Sequence, residues 1–174
     1  NANTNNYNSA TIARVTRYAT TTSGSNLTAV TASRTILIGE TKTTGIPVLY
    51  ESHSVGALVF ASDGTLLVAT GDAASYLAPD LGSKVETYYI QALADGILRA
   101  NENVGAFRSQ MLNSLCGKIL RIDPVTGNGI SSNPFYEAAL PKSAKSRVWT
   151  LGLRNPFRMC IRPNTGSTNP ATGD

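Results

Sequence analysis

The fold is decided by one segment, His53-Ser-Val-Gly-Ala-Leu-Val-Phe-Ala-Ser-Asp-Gly-Thr-Leu-Leu-Val-Ala-Thr-Gly-Asp72. It contains two short apolar runs, Val55 to Ala61 and Leu66 to Thr70, and Asp-Gly between them is a strong hairpin signal. Both faces of the hairpin are apolar, so sheets are expected above and below it. The turn brings His53 and Asp72 to the same end. An imidazole, which titrates near neutral pH without perturbation, can therefore meet an orienting carboxylate there.

Short apolar segments separated by Gly, Pro, Asn or Asp recur along the chain and predict a mainly β protein. Beyond the hairpin, the predicted strands are Ile12 to Tyr18, Thr35 to Ile38, Lys118 to Ile122, Val148 to Leu153 and Phe157 to Arg162.

One stretch departs from the β pattern. Ser83-Lys-Val-Glu86 fits a capping box, and apolar residues recur behind it at helical spacing. We predict a helical insertion over residues 84–98, with Gly96 suited to its termination.

Length and composition narrow the class of protein. The 174 residues are enough for one domain, and a content of 41% hydrophobic and 15% charged residues is that of a globular chain with a low charge density. The net charge of +4 comes from scattered basic residues, so no nucleic-acid surface is predicted. No run of eighteen apolar residues occurs, so no membrane-spanning helix is expected.

Two features could be mistaken for covalent or metal chemistry. Cys116 and Cys160 form neither a metal pattern nor a CxxC motif, and two small buried thiols are favoured over a disulfide. The segment Asp123-Pro-Val-Thr-Gly127 lacks the spaced oxygen ligands of a calcium loop, so turn chemistry is the preferred interpretation.

Four stretches, in this order and at these spacings, carry a resemblance to a known family. They are His53-Ser-Val-Gly56 running to Thr70-Gly71-Asp72, Glu102-Asn-Val-Gly-Ala-Phe-Arg108-Ser-Gln110, Gly117-Lys-Ile-Leu-Arg-Ile-Asp123 and Val148-Trp-Thr-Leu-Gly-Leu-Arg154-Asn155-Pro156-Phe157-Arg158. From about Ile12 to Thr165 the chain resembles the glucose/sorbosone dehydrogenase family, the soluble quinoproteins related to PQQ-dependent glucose dehydrogenase and aldose sugar dehydrogenase.

The resemblance implies an all-β fold, a six-bladed β-propeller of which this chain supplies about two to three blades. The expected organisation is a polar terminal segment over 1–11, a remnant of the first blade over 12–50, a hairpin blade with a helical insert over 51–147, and the start of the next blade over 148–174. The rest of the propeller, or another chain, is expected to cover the exposed strand edges.

The resemblance also implies roles for four residues. His53 matches the general base that removes the proton from the anomeric hydroxyl of an aldose while hydride leaves C1 for PQQ, and Asp72 matches its carboxylate partner. Arg154 and Asn155 match residues that contact the quinone. Asp72 as a turn residue and Arg154 as a strand-end ion-pair residue remain the structural alternatives. Arg108 and Gln110 are expected to anchor a loop.

PQQ and calcium are expected in the complete protein, whose calcium ligands lie beyond the Arg-Asn-Pro segment. Residues 1–174 alone are expected to bind neither tightly and to be inactive. The implied location is secreted or periplasmic. The alternative function is a noncatalytic propeller that recognises protein or carbohydrate, since a fold does not fix function.

Overall fold

The computed structural model describes residues 9–50, 52–76, 78–83 and 88–163. Its ten strands are β1 Thr11–Ala13, β2 Val15–Arg17, β3 Thr20–Ser23, β4 Asn26–Ala29, β5 Thr35–Ile38, β6 Ile46–Val48, β7 Val55–Phe60, β8 Leu66–Thr70, β9 Lys118–Ile122 and β10 Val148–Leu151. The α-helices are α1 Tyr88–Ala94 and α2 Ala144–Arg147, and 3₁₀ turns cover Thr31–Ser33, Ala100–Glu102 and Gly105–Gln110.

The main sheet is an antiparallel meander in which β7, β8, β9 and β10 lie side by side in chain order. A four-stranded sheet of this kind is the unit from which propellers are built. Together with three small antiparallel pairs, β1–β6, β2–β5 and β3–β4, it confirms the predicted all-β, partial-propeller fold. Because β10 is the fourth strand of this sheet, the sheet continues across the expected boundary at residue 148.

The hairpin at the start of the main sheet forms as predicted. The turn is closed because the Gly64 N–H donates to the Ala61 carbonyl at 2.9 Å and the Ala61 N–H donates to the Thr65 carbonyl at 2.9 Å. Gly64 has a φ of 81°, a value that suits glycine far better than other residues. The hairpin therefore fixes the register that brings its two ends together.

Two hydrophobic clusters lie beside the main sheet. The first joins buried residues of β8, β9 and β10 to buried residues of β2, β5 and β6, and so packs the N-terminal strand pairs against the sheet. The second surrounds α1 and includes Leu49, Ala73, Ala92, Leu98 and Cys116. Ala73 follows Asp72 directly, so this second cluster fixes the backbone next to one of the predicted site residues.

The expectation that sheets cover both faces of the hairpin is wrong for β7. All five residues of β8 are buried, whereas Leu58 and Phe60 of β7 are 54% and 64% exposed. These two side chains lie on the same face of the strand. β7 is the edge strand of its sheet, and within the described residues nothing packs over this face.

The N-terminal strands differ from the prediction in two ways. The predicted strand Ile12 to Tyr18 is divided at Arg14, whose Nε donates to the Gly39 carbonyl at 2.6 Å, so that β1 pairs with β6 and β2 with β5. The β3–β4 hairpin was not predicted. Its eight residues are all exposed, so they lack the apolar alternation that marks a half-buried strand.

The helical insert is shorter than the predicted 84–98. Residues 84–87 lie outside the described part of the chain, and α1 ends at Ala94. The Gly96 N–H donates to the Leu93 carbonyl at 3.2 Å, and Gly96 has a φ of 69°, so it ends the helix as predicted.

Residues 157–162 form no strand, contrary to the prediction. Pro156 has no N–H for a ladder, and the Phe157 N–H is used in a tight turn to the Asn155 carbonyl at 2.8 Å. The segment instead passes close over Gly56, where a Cβ would stand 2.3 Å from the Pro156 carbonyl oxygen.

Both cysteines are free, as predicted, but only Cys116 is buried; the expected burial of Cys160 is wrong. The Asp123 segment is a turn, because the Asp123 carboxylate accepts from the N–H groups of Val125 and Thr126 at 2.9 and 2.7 Å. No helix in the described ranges combines the length and apolar character that a membrane crossing requires.

Candidate functional site

Four strand termini meet at one end of the main sheet: the start of β7, the end of β8, the start of β9 and the end of β10. The Gly117 N–H donates to the Gly71 carbonyl at 2.8 Å, and the Leu153 N–H donates to the Gly117 carbonyl at 3.1 Å. The Asp72 N–H completes this junction by donating to the Arg154 carbonyl at 2.8 Å. Hydrogen bonding beyond the strands therefore brings distant segments into one site.

His53 and Asp72 form a hydrogen-bonded pair at this junction. Nδ1 of His53 lies 3.0 Å from Oδ1 of Asp72, and the two side chains are 9% and 1% exposed. Oδ1 also accepts from the Ala74 N–H at 2.9 Å, and Oδ2 accepts from Nη1 of Arg154 at 3.0 Å. A carboxylate that receives these bonds acts as an acceptor, so Nδ1 of His53 donates to it, and in the neutral imidazole Nε2 is then the acceptor.

Strained backbone surrounds this pair. His53 and Ala73 have φ values of 57° and 55°, in the left-handed region that non-glycine residues seldom adopt. They are joined because the Ala73 N–H donates to the His53 carbonyl at 3.1 Å. Such conformations cost on the order of 1 kcal/mol or more each, and they cluster at functional sites.

Arg154 completes the cluster from the segment that follows β10. Its Nη1 binds Asp72, and its Nη2 donates to the Ser75 carbonyl at 3.1 Å. A guanidinium has five N–H donors, and the Arg154 side chain is 52% exposed, so donors remain for a ligand. Asn155 is exposed too, and its amide side chain stays outside the cluster formed by His53, Asp72 and Arg154.

Comparison with known proteins decides the family. The sequence matches the model of the Glucose / Sorbosone dehydrogenase family over residues 2–169, which is nearly the whole chain. The chain belongs to the glucose/sorbosone dehydrogenase family. No curated protein and no solved structure gives a significant match. The family supports a sugar dehydrogenase-type oxidoreductase. The structure brings together His53, Asp72 and Arg154, three of the four residues selected from the sequence.

Arg108, in this sugar dehydrogenase-like propeller, anchors the loop after β8, as predicted. Its side chain is buried and donates to the carbonyls of Asp72, Ala73 and Glu102 at 3.1, 2.9 and 3.2 Å. Gln110 is exposed and lies beside Gly152, so it is at the same end of the sheet but outside the hydrogen-bonded cluster.

Lys118 was missed from the sequence. Its side chain is fully buried, and Nζ donates to the carbonyls of Arg108, Ser109 and Cys116 at 3.1, 2.8 and 2.6 Å. Burial lowers the pKa of Lys118 to about 8, against opposing influences from Cys116 and Glu102. The only sequence signal was a lysine in the first position of a strand whose other residues, apart from Arg121, are apolar.

The described residues fit part of the cofactor chemistry of a glucose/sorbosone dehydrogenase. PQQ is an anionic quinone, and the half-exposed guanidinium of Arg154 beside His53 has the donors that such a group needs. Calcium is different, because the described ranges contain no group of three or more His, Cys, Asp or Glu side chains that could hold a metal ion.

Proposed function

We propose that the protein is a quinoprotein sugar dehydrogenase that oxidises the anomeric carbon of an aldose, with His53 as the general base. One observation carries the proposal: the only histidine of the chain is bound through Nδ1 to a buried carboxylate. This arrangement leaves Nε2 as the acceptor, which is the state a base needs before it takes a proton.

His53 would remove the proton of the anomeric hydroxyl. As the O–H bond breaks, the oxygen forms a double bond to C1, and C1 releases its hydrogen as hydride, so that the aldose becomes a lactone. The imidazolium formed in this step is stabilised by the negative charge of Asp72, which also holds the ring in one tautomer. The hydrogen bond from Ala74 keeps that carboxylate directed at the ring.

Arg154 would bind the cofactor. PQQ, when bound, would supply the carbon that accepts the hydride. The side chain of Arg154 is held on one side by Asp72 and Ser75, and its free donors could stabilise negative charge on a neighbouring quinone oxygen. We propose Asn155, exposed and adjacent, as a second contact from the same segment.

The decisive experiment replaces His53 by alanine in the native full-length protein and measures dye-linked aldose oxidation with added PQQ and calcium. We expect kcat to fall by about 10² to 10⁴, since this is the usual contribution of a general base. The matched control is Ser132→Ala, at the opposite end of the main sheet, where the Ser132 hydroxyl accepts from Arg121. Unchanged oxidation by the His53 variant, with cooperative unfolding retained, would remove His53 from the mechanism.

A noncatalytic propeller that recognises protein or carbohydrate is the second candidate, since a fold does not fix function. The same assay separates the two functions. A binding protein would show no dye reduction with any aldose even when PQQ and calcium are present, and its His53 variant would behave like the native protein.

A further inference from the structure

Arg108 controls the conformation of the residue that follows Asp72. Its Nε and Nη2 donate to the carbonyls of Asp72 and Ala73 at 3.1 and 2.9 Å. These carbonyls belong to the two peptide groups on either side of the Ala73 Cα. The relative rotation of those two groups is set by φ and ψ of Ala73, so one planar guanidinium fixes both. The left-handed φ of 55° at Ala73 is thereby maintained.

The conformation of Ala73 decides where the Asp72 side chain points. The Ala73 N–H donates to the His53 carbonyl, and the next N–H, of Ala74, donates to Oδ1 of Asp72. Relaxation of Ala73 to an ordinary negative φ would rotate the Ala74 N–H relative to the Ala73 N–H, so the two groups could no longer reach these acceptors together. The carboxylate would then lose one of the bonds that directs it at Nδ1 of His53.

Lys118 holds Arg108 in turn. Its three ammonium protons are matched by three carbonyl oxygens, those of Arg108, Ser109 and Cys116. Arg108 and Ser109 lie in the last part of the 3₁₀ turn Gly105–Gln110, and Cys116 lies two residues before the start of β9. Lys118 therefore fastens the turn that carries Arg108 to the main sheet, beneath the end of β8.

Burying the charges of Arg108 and Lys118 opposes folding, so stability alone does not explain their role, which is better sought in what they bind. Every hydrogen bond described for the side chains of Arg108 and Lys118 goes to a backbone carbonyl. Burial of a charge is costly, and well-packed apolar residues of similar volume often stabilise a protein as well or better. What the cations provide is fixed geometry at several carbonyls.

We propose that Arg108 and Lys118 are positioning residues that hold the Asp72–Ala73 turn in the form that aims Asp72 at His53. This inference rests on the proposed role of His53 as a base. Neither residue touches the substrate in this scheme. Lys118 acts on Arg108, Arg108 acts on the Ala73 backbone, and that backbone acts on the carboxylate.

The tautomer of His53 allows the proposal to be tested without an activity assay. In the native full-length protein, the imidazole ¹⁵N NMR signal that disappears in His53→Gln belongs to His53 and reports which of its nitrogens is protonated; we expect one tautomer with the proton on Nδ1. Arg108→Gln should give a mixture of tautomers. Its kcat should fall by about 10², as expected for a displacement near 1 Å, with little change in KM. Arg108→Lys keeps the positive charge but lacks the planar guanidinium with its several donors. Its kcat should lie between those of Arg108→Gln and the native protein.

Arg121→Gln is the matched control. Like Arg108, Arg121 is a buried arginine. It lies on β9 and binds Asp63 and Thr65 at the far end of the main sheet. This variant should lose stability while the His53 tautomer and kcat stay as in the native protein. If Arg108→Gln folds and retains native kcat with a single tautomer, the proposal is wrong.

Lys118→Met gives a second route if Arg108→Gln does not fold, because methionine fills most of the same volume without a charge. We expect the same mixed tautomers and reduced kcat. A native tautomer in the folded Lys118→Met and Arg108→Lys variants would overturn the proposal. If the native protein oxidises no aldose, the proposed function fails, yet the NMR comparison still decides whether Arg108 and Lys118 orient the pair.

Discussion

The Asp72 carboxylate receives hydrogen bonds from three separate parts of the chain: the His53 ring, the Ala74 backbone and the Arg154 guanidinium. A simple turn residue would need only the bond from Ala74. The bonds from His53 and Arg154 reach across 19 and 82 residues. Asp72 therefore fixes His53, the proposed base, and Arg154, a candidate anion-binding group, relative to each other.

Replacement of Asp72 by asparagine should therefore impair catalysis more than folding. An amide presents a donor where the site needs two acceptors, so the imidazole is expected to reverse its tautomer and place the proton on Nε2. We expect kcat to fall by roughly 10² to 10⁴, as judged from the usual contribution of a general base. Dye-linked oxidation and imidazole ¹⁵N NMR measure the two effects.

Asp63→Asn is the control for that substitution, since Asp63 is also ion-paired with an arginine, the buried Arg121, but at the opposite end of the hairpin. It should leave kcat and the tautomer unchanged. Equal effects of the two asparagine substitutions on kcat would show that lost stability, rather than lost orientation, explains the Asp72 result.

The sequence allowed His53, Asp72 and Arg154 to be selected because residue type and motif spacing both point to them. It did not reveal Lys118 or the left-handed backbone at His53 and Ala73. A lysine in a β-strand is usually solvated, and its burial beneath the site depends on the 3₁₀ turn that folds over it. Alanine carries no local preference for a positive φ, so only tertiary hydrogen bonds, chiefly those of Arg108, produce it.

Among the strands, the site depends on a close approach between the end of β8 and the residues before β7. Gly71, directly after β8, leaves no room for a side chain, because a Cβ there would stand 2.2 Å from the His53 carbonyl oxygen. Its N–H donates to the Ser54 carbonyl at 2.7 Å, which extends the β7–β8 ladder toward the site. Gly71 thus sets the spacing between the backbone of His53 and the backbone of Asp72.

Gly71→Ala should separate these two segments. We expect a loss of stability of about 1–3 kcal/mol from overpacking, and a fall in kcat of at least about tenfold from misalignment of the pair. Urea unfolding and dye-linked oxidation provide the two measurements.

Gly64→Ala distinguishes steric displacement from general strain. Gly64 is in the turn at the far end of the same hairpin, where a Cβ would meet nothing within 4 Å, although its φ is +81°. Alanine there should cost about 1 kcal/mol and leave kcat at the native value. The argument for Gly71 would be wrong if the two alanine variants had equal activity.

Strands with apolar residues were predictable, and polar or interrupted ones were not. The hairpin β7–β8 and strand β9 lie where the pattern placed them, because all three are rich in apolar residues; burial accounts for this in β8 and most of β9, whereas β7 is an edge strand with no buried residue. The exposed pair β3–β4 is held by backbone pairing over four residues of each strand, which leaves no apolar signature. The predicted strand over 157–162 fails for the opposite reason: apolar residues occur there without a ladder partner.

For the molecule as a whole, buried ionisable groups make the free energy of unfolding vary with pH in the alkaline range. Burial lowers the pKa of Lys118 from 10.5 to about 8, while nearby Cys116 and Glu102 oppose the shift. Burial raises the pKa of the Cys116 thiol from 9.0 to about 11, helped by Glu102 and opposed by Arg108 and Lys118. The two groups lie side by side beneath the site and act on folding in opposite directions.

The sign of each effect follows from the protons bound in each state. Between about pH 8 and 10.5, Lys118 binds more protons in the unfolded chain than in the folded one, so its contribution to the free energy of unfolding rises with pH. Between about pH 9 and 11, the folded chain keeps the Cys116 proton that the unfolded chain has lost, so the Cys116 contribution falls with pH.

The sum of these two contributions should rise from about pH 8 to 9, change little up to about 10.5 and then fall. Each slope is at most about 1.4 kcal/mol per pH unit. Urea unfolding of the native protein, Lys118→Met and Cys116→Ala from about pH 7.5 to about pH 11 isolates each contribution by difference. The lysine variant should lose the initial rise, and the cysteine variant should extend the rise to about 10.5. If the native-minus-Lys118→Met difference is independent of pH, burial does not lower the pKa of Lys118, and the predicted rise in stability between about pH 8 and 9 is wrong.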